Sequence, residues 1–198
     1  MSTTNDNLVV RNPSRHAVHF SSTTCEWATP LHVFERYDAV YRFNLDPCST
    51  HENAKCKLHF TQADDGLAQS WADKRVWMNP PYGNPQTACK SGCKKQTCAR
   101  RGHHVRDYVP GIIDWMRKAL DESLRGALIV CLVPARTDTH WWHLYATKGE
   151  IEFLRGRLKF GGAKNSAPFP SAVVVFKPSN PLAEELATRG VEHGTHLR

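Results

Sequence analysis

The chain has 198 residues, a formal net charge of +7 and a sequence pI near 9.1. That length suits one domain with a real core. No stretch is apolar for long enough to span a bilayer, and the polar start, Met1 to Asn12, lacks the apolar region of a secretory signal. These features argue against a membrane or secreted protein, and the basic balance fits a polyanionic partner, nucleic acid first. The seven cysteines are an odd number with no secretory signal beside them, which points to reduced thiols in a cytoplasm.

Along the chain, residues 1–24 read by composition as a flexible arm. Thr29-Pro30 then opens a segment with helix-like spacing, Leu31 to Tyr37, with Thr29 expected as N-cap and Pro30 at the first helical position. Tyr41 to Asp46 alternates like a strand and ends at Asp46-Pro47. His51 to Lys57 suggests one or two helical turns, Asp64-Asp65-Gly66-Leu67 a turn, and Val76-Trp77-Met78 a buried strand. Residues 84–108 form a polar insertion rich in Cys, His, Lys and Arg.

Gly111 to Leu124 carries Ile112, Trp115, Met116, Ala119 and Leu120 at helical spacing. The continuous apolar run Ala127 to Val133 predicts a strand buried on both faces. Thr139 to Tyr145 reads as an aromatic helix, and Glu150 to Leu154 and Ala172 to Phe176 as two further strands. Strands alternating with helices argue for an α/β fold. Residues 25–178 are expected to form the domain, and 179–198 a tail.

The most informative segment is Asn79-Pro80-Pro81-Tyr82, at the end of the strand and followed by Gly83. An Asn side-chain oxygen and the Pro80 carbonyl can both accept from an exocyclic amino group. The prolines fix φ and offer no competing N–H. Tyr82 supplies a flat face for a base. An amine held by two acceptors loses conjugation with its ring, and its lone pair becomes available to attack the methyl of S-adenosylmethionine. The amino group of a duplex base is otherwise paired, so such a base would have to leave the duplex. Cytosine N4 or a protein glutamine amide would fit the same acceptors. Arg136-Thr137-Asp138, after a buried strand, belongs to the same sheet edge.

The insertion holds Cys89, Cys93, Cys98 and His103, with His104 as the alternative fourth ligand. Three thiols and an imidazole suit tetrahedral zinc. The segment has little apolar content, so a structural metal would supply its order. Lys90, Lys94, Lys95, Arg100, Arg101 and Arg106 surround it and suggest a DNA contact. A non-enzymatic, zinc-dependent DNA-binding protein is the competing class.

Several segments together resemble the phage-type DNA N6-adenine methyltransferase family. The carriers are Glu26-Trp27-Ala28-Thr29-Pro30, Leu45-Asp46-Pro47, Asn53-Ala54-Lys55-Cys56, Asp64-Asp65-Gly66-Leu67-Ala68, Val76 to Gly83, Pro134-Ala135-Arg136-Thr137-Asp138 and Gly156-Arg157-Leu158-Lys159-Phe160. The resemblance implies a Rossmann-like class I methyltransferase fold, S-adenosylmethionine as cofactor and adenine in DNA as substrate. It also implies that Asp65-Gly66-Leu67 lies at the cofactor's adenine and Asp46-Pro47 near its methionine ammonium. Thr29-Pro30 would meet its carboxylate, and Trp27 and Asn79 are also expected to contact the cofactor. Most amino-methyltransferases carry a Gly-x-Gly loop after the first strand; here that place is Asp46-Pro47-Cys48-Ser49.

Overall fold

In the computed structural model, residues 28–161 and 163–179 are described. Helix α1 (Leu31–Tyr41) leads into β1 (Leu45–Asp46), β2 (Leu58–His59) and β3 (Arg75–Met78). Then come α2 (Gln96–Arg101), α3 (Ile112–Ser123), β4 (Leu128–Pro134), α4 (His140–Leu144), β5 (Glu150–Phe153) and β6 (Ser171–Phe176). One six-stranded sheet runs β2-β1-β3-β4-β6-β5. The first four strands are parallel, and β6 is antiparallel to both β4 and β5. This is the α/β, Rossmann-like sheet expected, with a Cys/His-bearing insertion between β3 and α3.

The chain leaves β1 for β2 on one side and returns to β3 on the other. The order therefore reverses between β1 and β3, and open α/β sheets bind ligands beyond the carboxyl ends of strands at such a point. Asp46 ends β1 and Asn79 follows β3 at that crevice.

The central strands are apolar because helices cover both faces. Every residue from Ile129 to Pro134 and from Ser171 to Phe176 is buried. Helix α3 presents Ile112, Trp115, Met116 and Ala119 to the core. Gly111 is its N-cap, and the Asp114 carboxylate accepts from the Gly111 N–H at 2.9 Å. Helix α1 lays Phe34 and Tyr37 against Trp77, with ring centroids 5.6 and 6.0 Å apart.

Three local expectations are corrected, and one element is added. Pro30, not Thr29, is the N-cap of α1, and no side chain caps it. Thr29 instead spends its hydroxyl on the site described below. Strand β1 is only Leu45–Asp46, because the apolar stripe of α1 carries the helix on to Tyr41. His51 to Lys57 holds hydrogen-bonded turns rather than helix: the Thr50 N–H bonds Asn53 Oδ1 at 2.8 Å, a side-chain alternative to helical pairing. The insertion contains a short helix, α2, that its composition did not announce. The expected arm (1–24) and most of the expected tail (179–198) lie outside the described residues.

Candidate active site

Strand β3 is clamped between β1 and β4, so its end is a fixed point. Asn79 and Pro81 are half-buried there, and Pro80 and Tyr82 are buried. The Asn79 amide is held at both ends. Its Nδ2 donates to Thr29 Oγ1 at 3.0 Å, and its Oδ1 accepts from the Tyr82 hydroxyl at 2.6 Å. Thr29 Oγ1 also accepts from Trp77 Nε1 at 3.4 Å. The amide plane is therefore set from α1's entry on one side and from the motif's own tyrosine on the other.

Tyr82 has a different local role from the open stacking face expected of it. Its ring packs edge-to-face with Phe160 and Phe169, at centroid distances of 6.1 and 5.6 Å. Both phenylalanines come from the segment between β5 and β6. The Gly161 N–H ties that segment to the Ala28 carbonyl at 2.8 Å. Burial pushes the Tyr82 phenol well above its usual range, so it stays a neutral donor. Arg136 Nη1 reaches the Tyr82 carbonyl at 3.5 Å, and its guanidinium sits 6.0 Å from the Phe169 ring centre.

Across the crevice, Asp46 is 4% exposed. Its Oδ2 accepts from the Lys55 N–H at 3.0 Å and its Oδ1 from the Cys48 N–H at 3.4 Å. Burial raises its carboxyl above the ordinary value, and those two N–H groups oppose the rise. The Cys48 thiol meets the Asn79 backbone N–H, which joins the β1 end to the β3 end. Burial raises that thiol strongly, so it is inert packing rather than a nucleophile. Ser49 Oγ and Trp115 Nε1 are buried without a partner among the described residues.

The Asp65-Gly66-Leu67 segment lies against the same loop. A Cβ on Gly66 would come within 2.0 Å of the Pro47 carbonyl oxygen, so only glycine fits there. Close approach is thus provided by a glycine opposite the β1 loop, not within it. Asp65 is exposed and left-handed at φ 50°, closing a single 3₁₀ turn. Trp71 Nε1 holds the Gly66 carbonyl at 3.0 Å, and the Trp71 N–H donates to Glu122 Oε2 at 2.7 Å. Glu122 is fully buried on α3, bonded to Lys118 at 2.7 Å and Arg125 at 3.0 Å. Burial works to raise its carboxyl, but Lys118, the Trp71 N–H and Arg125 outweigh it, and the carboxyl lies below its usual value.

The fold thus gathers Thr29, Asp46, Pro47, Gly66, Asn79, Pro80 and Tyr82 around one crevice, with Pro30 capping the adjoining helix. Asp65 and Leu67 flank it on a turn, and Trp27 lies outside the described residues. Sequence reasoning missed Phe160, Phe169 and Glu122. Glu122 did carry a signal: it continues the stripe of Ile112, Trp115, Met116 and Ala119, where an apolar residue belongs.

In the insertion, one ligand atom each from Cys89, Cys93, Cys98 and His104 lies within 4.8 Å of the others. The convergent imidazole is His104, where the sequence favoured His103. Gly102, at φ 76°, ends α2, and the Cys89 N–H bonds the Val105 carbonyl at 2.8 Å; that pairing draws His104 beside Cys89.

Residues 20–185 match the family described as DNA N-6-adenine-methyltransferase (Dam). The DNA N-6-adenine-methyltransferase of Haemophilus phage HP1 is 25% identical over 167 residues, which covers 78% of this chain and 80% of that protein. The protein of the same description from Escherichia phage T1 is 31% identical over 134 residues, covering 66% of this chain and 54% of its own length. A shorter likeness, 31% over 64 residues, is to the putative methyltransferase YfdM of Escherichia coli K12, over 29% of this chain and 70% of that one.

Proposed function

Because the chain belongs to the DNA N-6-adenine-methyltransferase family, we propose that it transfers the methyl of S-adenosylmethionine to N6 of adenine in DNA. The adenine is turned out of the duplex to the Asn79–Tyr82 lip. The observation that carries this reading is the chain Thr29–Asn79–Tyr82, which fixes an amide oxygen at the sheet's switch point beside a buried carboxylate.

The donor and acceptor groups at the ends of β1 and β3 suit the cofactor's charged methionine end. Asp46 is a buried carboxyl bonded to backbone N–H groups, and a cofactor ammonium would favour its ionised form against the burial that raises it. Ser49 Oγ, three residues past Asp46, is buried without a partner among the described residues. The residues that would hold the group are Thr29, Asp46, Pro47, Asp65, Gly66 and Leu67, and Trp27 and Pro30 adjoin them in sequence. The group supplies an electrophilic sulfonium methyl.

A carbonyl oxygen has two acceptor sites, so Asn79 Oδ1 can serve Tyr82 and the adenine amine at once. With the Pro80 carbonyl it orients the amine's lone pair. No base is needed beforehand, since the neutral amine attacks and its proton becomes acidic only afterwards. The contribution is positioning and water exclusion. Entry of the base requires Phe160 and Phe169 to move off the Tyr82 ring, which then becomes the stacking face. Extrusion costs a few kcal/mol, and stacking offsets ~1–3 kcal/mol of it.

The Cys89, Cys93, Cys98 and His104 group is read as a structural zinc site. A DNA substrate also fits the cytoplasmic setting expected from unpaired thiols; no helix among the described residues is long and apolar enough to cross a membrane. Titration of S-adenosylmethionine into the protein, followed by transfer of labelled methyl to DNA, tests the reading. Binding without transfer to adenine would overturn it.

A further inference from the structure

The insertion leaves the sheet immediately after the Asn79–Tyr82 lip and returns to it at α3. Its base is pinned shut. The Ile112 N–H bonds the Gly83 carbonyl at 2.9 Å, and Gln86 and Val109 exchange two backbone bonds at 2.9 Å each. Gly111 presses on Gly83, Asn84 and Pro85 so closely that a Cβ would lie 2.3 Å from the Pro85 nitrogen. The excursion is therefore rigidly attached beside the lip.

Beyond that base it has almost nothing of its own to fold around. Among the described side chains from 84 to 108, Cys98 alone is buried. Yet the segment makes a defined helix and three tight turns. The Cys93 N–H bonds the Lys90 carbonyl at 3.2 Å, the Cys98 N–H bonds the Lys95 carbonyl at 3.0 Å, and Gly102 turns left-handed after α2. These turns aim three thiols and one imidazole at a common point.

The sulfur spacings identify what belongs there. Cys89 and Cys98 are 3.4 Å apart and Cys93 and Cys98 are 3.8 Å apart. A disulfide needs about 2.05 Å. A tetrahedron with Zn–S bonds of about 2.3 Å has edges of about 3.8 Å. We propose that Cys89, Cys93, Cys98 and His104 hold one structural zinc ion, and that this ion orders the insertion into a phosphodiester-gripping knuckle beside the target base.

Three thiolates around a divalent ion leave one net negative charge. Lys94 and Lys95 line the same cavity of about 310 Å³ as Cys93, Cys98 and His104, and they offset it. Lys90, Arg100 and Arg106 are exposed on the remainder of the knuckle. These cations supply backbone contacts that position a duplex without reading it. The knuckle's DNA role rests on the methyltransferase reading above; the metal site does not.

The test uses the full-length protein. The as-purified chain is expected to carry one equivalent of zinc by elemental analysis. After chelation, cobalt(II) alone should restore one equivalent, with the visible bands of a tetrahedral thiolate site. His104→Ala should perturb that spectrum and weaken zinc retention at least tenfold, whereas His103→Ala should do neither. Equal behaviour of the two variants, or a zinc-free protein that takes up no cobalt, would overturn the metal site.

For the DNA role, the double variant Lys90→Ala/Arg100→Ala, exposed away from the metal-site cavity, should keep its zinc and its cofactor affinity. Its duplex affinity should depend on salt with a slope shallower by about 2, at roughly 0.9 for each phosphate no longer neutralised. An unchanged slope with zinc present would overturn the gripping role. A loaded, DNA-binding protein that transfers no methyl would instead sink the catalytic reading and leave the knuckle standing.

Discussion

Thr29 Oγ1 accepts a hydrogen bond from Asn79 Nδ2 at 3.0 Å across fifty residues of sequence. This contact decides which way the amide faces. With Nδ2 donating to Thr29, Oδ1 is the atom turned toward the Tyr82 hydroxyl at 2.6 Å, and in the proposed reaction it is this oxygen that would accept from the amine. Thr29→Val keeps the shape and removes the acceptor. One such bond is worth ~1 kcal/mol net, so methyl transfer should fall about fivefold with the melting temperature changed by only a few degrees. An unaltered turnover rate would show that the amide holds its orientation without Thr29.

Asn79 itself should matter more. Asn79→Ala removes an amine acceptor, and misplacement of a reacting group costs ~100-fold in rate. The expected result is a loss of turnover of that order or larger, with cofactor affinity held within a few-fold in a calorimetric titration. Joint loss of both would instead assign Asn79 to cofactor binding alone.

Asp46 gives a pH signature. Its carboxyl is raised by burial, so the folded state holds the proton more tightly than the unfolded chain. Its contribution to stability is therefore greatest below the unfolded value and declines as pH rises through the folded one. Cofactor binding runs the other way: an ammonium favours the ionised form. Affinity should be flat above the raised pKa and fall as pH drops through it. Asp46→Asn should remove that pH dependence and weaken cofactor binding, with little loss of melting temperature. A pH profile unchanged in the variant would remove Asp46 from the cofactor's contacts.

Much of the fold was legible because the sheet's centre is written in apolar runs. The run Leu128 to Val133 lies within β4, and Ser171–Phe176 forms β6 where the sequence placed a strand. The edges were not, because β1 and β2 have two residues each and are held by neighbours rather than by a pattern. At the site, Asn79-Pro80-Pro81-Tyr82 stood out by chemistry. The links that orient it did not, because Thr29 is fifty residues away and Phe160 and Phe169 come from an irregular segment with no periodicity. Thr29 also illustrates a local rule that misleads: Ser or Thr before Pro commonly marks a cap, but here the hydroxyl is drawn to Asn79 and Trp77.

Glu122 carries the acid-sensitivity of the scaffold. Its carboxyl is depressed, so its stabilisation is present above the unfolded value of about 4.3 and is lost as pH falls through the folded value. Glu122→Ala strands Lys118 and the Trp71 N–H. Breaking a buried pair costs ~3 kcal/mol, which corresponds to a drop of roughly 6–12 °C in melting temperature. Because Trp71 holds Gly66, cofactor affinity should decline with it. Thermal melts at neutral pH and at a pH below the carboxyl's depressed folded value check this: the wild type should approach the variant only at the lower pH.

Gly66→Ala probes the closest approach in the crevice. The new Cβ would meet the Pro47 carbonyl oxygen at 2.0 Å, a backbone atom that cannot swing aside, with the Trp115 ring at 3.4 Å. Overpacking of this kind costs ~1–3 kcal/mol, and it should open the β1 loop. Denaturant titration should show the destabilisation, and cofactor titration a weaker affinity. A variant as stable as the wild type would mean that the two loops separate without cost.

The decisive assay incubates the purified protein with labelled S-adenosylmethionine and duplex DNA, then digests the DNA to nucleosides. Label should appear in N6-methyladenine, and it should vanish with Asn79→Ala while that variant still binds cofactor. Label in N4-methylcytosine, no labelled nucleoside at all, or undiminished methyladenine from the Asn79 variant would contradict adenine transfer at this lip.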